Sequence, residues 1–236
     1  MARLLLIHGA AHGAWCWRDT LPALAALGHQ VRALDLPSHG QDRTPVNDVT
    51  LDLYGQAIVE ALDGPTVLVG HSMGGYAITR AAELDPTQIA GLVYLCAYDP
   101  WPDLSLAQMR MKAPSQPLLP ALRVSEDRLS FTVDPQMARD LFYHDCPPDT
   151  VEFALANLCP QAVAASSVPV ALTAGSQDLP RSYILCTEDR TIPPAFQRQM
   201  AARFAPDRVA ELPSSHSPFF SMPGALARAI DAFVKD

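Results

Sequence analysis

A chain of 236 residues that is 49% hydrophobic and only 18% charged has enough apolar side chain for one globular core, which excludes a disordered segment. Its 17 Lys and Arg stand against 25 Asp and Glu, a formal net charge of -8 with no basic cluster. That balance argues against nucleic acid and anionic membranes and for a small-molecule partner.

In chain order, short apolar runs alternate with helical patterns, as in a parallel sheet covered on both faces. Strands are expected at 3–7, 30–34, 66–69, 91–95, 181–186 and 208–212, and helices at 17–27, 50–62, 74–84, 194–204 and 223–234. The first run, Leu4-Leu5-Leu6-Ile7, is too short for a signal-peptide core, and His8-Gly9 follows at once. No stretch approaches the length of a membrane span. Thr50 suits a helix N-cap before Leu51, and Pro223 suits the first turn of the last helix. Cys16, Cys96, Cys146, Cys159 and Cys186 are scattered without C-x-x-C spacing, which fits reduced packing residues in a cytoplasmic protein better than disulfides or zinc.

The rhythm breaks between Pro100 and Pro169, where ten of the 22 prolines fall and where 134–142 and 150–159 read as helical. So long an insertion predicts a small helical cap, residues 100–169, on an α/β core made of 1–99 and 170–236. Such a cap belongs over the carboxyl ends of the strands, where ligands bind in open α/β sheets.

The most informative stretch is Val69-Gly70-His71-Ser72-Met73-Gly74, in which a buried strand enters Gly-x-Ser-x-Gly and leaves as a helix. It resembles the nucleophile elbow of the α/β-hydrolases. A serine hydroxyl must project from a sharp, strained turn, and Gly70 and Gly74 clear the space beside it. The helix that follows points its first N–H groups at the place where an oxyanion forms. His71, next to the serine, points another way and reads as a packing or hydrogen-bonding residue. After the first strand, His8-Gly9-Ala10-Ala11-His12-Gly13 forms a glycine-rich loop. With Gly9 turning the backbone, the N–H groups of Ala10 and Met73 are the expected oxyanion donors.

On this fold the triad runs Ser, then Asp or Glu, then His. Only His144 and His216 follow Ser72, and His216 lies in the loop after the last strand and before the last helix, where an imidazole can reach back to the serine. For the acid, Asp189 follows the penultimate strand; Asp99 also satisfies the order, with Glu188 and Asp178 as weaker rivals. No H-E-x-x-H, phosphate-binding loop or dinucleotide fingerprint is present, so no metal and no cofactor are expected.

With these motifs in place the chain is similar to the plant methylesterase and hydroxynitrile lyase group of α/β-hydrolases, which has bacterial members. The resemblance rests on His8-Gly9-Ala10-Ala11-His12-Gly13-Ala14-Trp15-Cys16-Trp17, Val69-Gly70-His71-Ser72-Met73-Gly74-Gly75, Pro194-Ala195-Phe196-Gln197 and Ser215-His216-Ser217-Pro218. It implies an α/β-hydrolase fold with a mostly parallel six-stranded sheet, nucleophile Ser72, base His216, acid Asp189 and a small pocket under the cap. The lyases of the group carry a threonine after the first loop histidine and a lysine after the catalytic one; Gly9 and Ser217 stand there, which favours ester hydrolysis over cyanohydrin cleavage.

The expected function is therefore a serine carboxylesterase for small carboxylic esters, methyl esters among them. A cyanohydrin lyase and a non-catalytic ligand receptor on the same fold are the alternatives. Trp101, Phe131, Phe142 and Tyr143 in the cap are candidates either for shaping the substrate or for ordinary cap core. A homodimer is left open.

Overall fold

The computed structural model describes residues 1–235. Six strands, β1 (Arg3–Ile7), β2 (Gln30–Leu34), β3 (Thr66–His71), β4 (Ile89–Leu95), β8 (Arg181–Cys186) and β9 (Val209–Leu212), form one sheet in the order β2-β1-β3-β4-β8-β9. Every neighbouring pair is parallel. The central strands are buried nearly throughout, because helices cover both faces; that is why Leu4-Leu5-Leu6-Ile7 is continuously apolar rather than alternating. On one face α2 (Leu51–Glu60) and α3 (Gly74–Leu84) pack Tyr54, Ile58, Tyr76 and Ile78 into the core. On the other, α1 (Thr20–Ala26) and α10 (Pro223–Val234) pack Leu24, Leu226 and Ile230.

Local chemistry sets several boundaries. The Thr50 side chain accepts the Leu53 N–H at 3.1 Å and starts α2. The first helix begins at Thr20 rather than at 17, after a tight turn at Ala14–Trp17. Pro22 accounts for this: starting at Thr20 puts it in the first turn, where its missing N–H removes no helical bond.

Between β4 and β8 lie α4 (Leu106–Arg110), α5 (Pro135–Tyr143), α6 (Pro148–Asn157) and α7 (Ala174–Gln177). The two stretches read as helical, 134–142 and 150–159, correspond to α5 and α6. The segment also holds a small antiparallel sheet, β5 (Leu122–Val124), β6 (Ser130–Val133) and β7 (Gln161–Ala162), which the sequence did not announce. Past the main sheet, α8 (Pro194–Ala201) follows β8, and the short α9 (Pro218–Ser221) leads into α10. No helix of the described residues is long and apolar enough to cross a membrane.

Candidate active site

Ser72 sits at the end of β3 with φ 55°, in the left-handed region that a serine adopts only under constraint. Hydrogen bonds hold the turn: Ser72 N–H donates to the Leu95 carbonyl at 3.2 Å, and Tyr98 N–H donates to the Ser72 carbonyl at 3.1 Å. The neighbouring glycines are required by close approach. A Cβ on Gly70 would lie 2.6 Å from the Gly74 carbonyl oxygen, and one on Gly74 would lie 2.9 Å from the carbonyl oxygens of Ile7 and His8. Gly9 brings the first loop against this turn; a Cβ there would meet Ser72 Cβ at 2.9 Å and His71 Nδ1 at 2.7 Å.

His216 Nδ1 lies 2.6 Å from Asp189 Oδ2, and both side chains are buried. A carboxylate only accepts, so Nδ1 carries the proton and Nε2 is left as the free base. Asp189 is itself held tightly. Its Oδ1 accepts the N–H groups of Thr191 and Ile192 at 2.6 and 2.9 Å, and its Oδ2 accepts Gln197 Nε2 at 2.8 Å. The Gln197 carbonyl in turn accepts the Cys186 N–H at 3.0 Å, tying the acid to the end of β8. Gln197 was not singled out as a functional residue from the sequence, because its partner lies eight positions back across a loop and a proline-started helix.

Asp99 takes a different place. Its buried carboxylate pairs with Arg181 at 3.4 Å and with Arg203, and burial pushes its pKa up to about 6 against the pull of both guanidinium groups. His144 faces the Glu188 carbonyl at 3.0 Å. Glu188 and Asp178 are exposed. Of the four carboxylates weighed, Asp189 is the one hydrogen-bonded to His216. Among the described residues no hydrogen bond joins the Ser72 hydroxyl to His216; such contacts commonly close only when substrate is bound.

His71 Nε2 faces the His216 carbonyl at 2.9 Å, which makes it a donor that fixes the loop of the base. The rings of His71 and His216 lie 4.6 Å apart, and burial drives the His71 pKa well down, so it stays neutral. The first loop is braced in the same manner. His12 Nδ1 donates to the Ala10 carbonyl at 2.8 Å, while its Nε2 accepts the Tyr143 hydroxyl at 2.7 Å. Gln161 Oε1 accepts the Ala11 N–H at 3.3 Å, and Ala11 has φ 61°. Tyr143 and Gln161 both lie between β4 and β8, so this segment braces the loop that carries Ala10. The N–H groups of Ala10 and Met73 have no backbone acceptor among the described residues. Both residues border the same cavity as Ser72, of about 310 Å³, walled mainly by Leu106, Leu118, Leu122 and Phe131. Of the four cap aromatics, Phe131 lines this cavity. Trp101 meets Phe196 edge to face, and Phe142 and Tyr143 pack around His12.

His71, Cys96 and His216 bring three potential metal-ligand atoms within 4.8 Å of one another. They fit a metal poorly. His71 Nε2 and Cys96 Sγ both point at the His216 carbonyl, and burial holds the Cys96 thiol well above its ordinary pKa, away from the thiolate a metal would need.

The family model described as the alpha/beta hydrolase family matches residues 4–229. The chain belongs to this family. It is 31% identical over 244 residues to a pyrethroid hydrolase of Sphingobium wenxiniae, covering 98% of this chain and 86% of that one. Methylesterase 1 of Arabidopsis thaliana is 30% identical over 250 residues, covering 98% and 94%. The solved structure of a pyrethroid hydrolase from Sphingobium faniae superposes with a TM-score of 0.87 at 30% identity, covering 98% and 96%. The α/β-hydrolase fold and the methylesterase-like kinship expected from the motifs are thus both met.

Proposed function

We propose that the chain is a carboxylesterase that cleaves small carboxylic esters, methyl esters among them, through an acyl-enzyme on Ser72. The observation that carries the reading is the buried 2.6 Å contact of His216 with Asp189, which leaves Nε2 available as the base for Ser72 at its strained turn. Relatives that are methylesterases and a pyrethroid hydrolase support it. Ser72 Oγ attacks the ester carbonyl while His216 Nε2 takes its proton, and Asp189 stabilises the imidazolium without becoming protonated. The N–H groups of Ala10 and Met73 receive the oxyanion; losing one such donor costs about 3–4 kcal/mol of transition-state stabilisation. Collapse expels the alcohol, which takes the proton from His216, and water repeats the sequence on the acyl-enzyme. The five free cysteines fit a reducing cytoplasm.

A panel of esters of varied acyl length, run on wild type, Ser72→Ala, Asp189→Asn and Asp99→Asn, tests this. Ser72→Ala should lower kcat by about 10⁶-fold, and Asp189→Asn by about 10⁴-fold. Asp99→Asn should act on stability, since it leaves Arg181 and Arg203 without their buried partner. Full activity in Ser72→Ala would sink the mechanism. A larger loss in Asp99→Asn than in Asp189→Asn would sink the choice of acid.

A further inference from the structure

The cavity over Ser72 has apolar walls and one charged side chain, Arg110, at the end of α4. No carboxylate among the described residues forms an ion pair with it. Its Nε–H is buried without a hydrogen-bond partner. Tyr98 lines the same cavity, and the Arg110 charge opposes the upward push that burial gives its phenol. A guanidinium stays charged at any working pH, and a partly buried one with free donors is costly unless something accepts from it. Arg110 is neither fully exposed nor held in an ion pair, whereas Arg181 and Arg203 are both committed to Asp99.

We propose that Arg110 is a specificity residue for esters that carry a second, free carboxylate, separated from the scissile ester by an apolar spacer: monoesters of dicarboxylic acids. The planar fork of the guanidinium would receive that carboxylate in a bidentate pair, while Leu106, Leu118, Leu122 and Phe131 cover the spacer. The proposal rests on the esterase reading of Ser72. It accounts for a lone cation in a cavity whose other lining residues are neutral.

The test compares the monomethyl esters of succinic, adipic and suberic acids with their dimethyl esters, corrected for the two equivalent ester groups. Wild type should favour at least one monoester over its diester by about tenfold or more in kcat/KM, through a lower KM, and added salt should erode the preference. Arg110→Gln should bring the ratio to near one, Arg110→Lys should keep part of it, and Lys112→Gln, an exposed neighbour, should keep all of it. A wild-type ratio near one overturns the proposal, and so does an Arg110→Gln variant that loses both substrates in equal proportion. If wild type cleaves no ester, the esterase reading fails separately. Calorimetric titration of suberate into Ser72→Ala then decides alone: binding abolished by adding Arg110→Gln supports the anion site, and no binding overturns it.

Discussion

At the scale of single residues, the site depends on how firmly each polar atom is committed. Asp189 uses both oxygens, and three of its four partners are backbone or Gln197 donors that do no chemistry. Gln197→Leu keeps the volume but removes the donor to Asp189 and the acceptor for the Cys186 N–H. We expect kcat to fall by about tenfold with KM little changed, and stability to fall by about 1–3 kcal/mol, the cost of a buried unpaired group. Unchanged kcat with the stability loss alone would show that Gln197 is only a packing residue. Ser72 and His216 stood out as candidates in the sequence because glycine spacing and chain order are local or ordinal signals. For the acid, the place of Asp189 after the penultimate strand already favoured it over Asp99, and the family resemblance supported that choice; in the structure Asp189 is the one hydrogen-bonded to His216.

Among the elements, those with their own punctuation were read nearly as they stand. Thr50 caps α2, and Asp134 with Pro135 starts α5 by accepting the N–H groups of Gln136 and Met137. Thr50→Ala should cost about 1 kcal/mol, read as a shift of the urea midpoint with unchanged slope. No shift would mean that packing of α2 on α3 supplies its start. The strands of the insertion were missed for a physical reason. Each has four residues or fewer, and Phe131 of β6 pairs with Gln161 of β7 across a long stretch of chain. Nothing in three or four residues carries a period, and the pairing energy comes from partners that only folding brings together.

Taken whole, the molecule buries an unusual set of neutral histidines. His8, His12 and His39 each donate from Nδ1 to a backbone carbonyl and accept at Nε2, from the Leu36 N–H, the Tyr143 hydroxyl and the Tyr54 hydroxyl respectively. Burial lowers the pKa of all three and of His71, with His12 brought down to about 4. The unfolded chain therefore binds protons that the folded chain refuses. Stability from these groups is complete above about pH 6.5 and is lost as the pH falls from there toward the folded values. Each histidine that stays neutral contributes a slope of up to about 1.4 kcal/mol per pH unit. Asp99, pushed up to about 6 by burial, works in the opposite direction, one group against four. Urea unfolding at pH 7.5, 6 and 5 should show falling stability, with a shallower fall in His12→Gln. A flat profile would contradict the buried neutral state.

The parallel sheet, the Gly-x-Ser-x-Gly turn between strand and helix, and the α/β-hydrolase kinship were legible in the sequence, because apolar period and glycine spacing are written locally. What holds these pieces in place is visible only once the chain is folded: Gln197 and two N–H groups on Asp189, Tyr143 and Gln161 on the first loop, and Arg110 unpaired in the cavity wall. Those relations depend on which distant groups share a buried volume. Burial makes a missing partner costly, and no spacing along the chain records it.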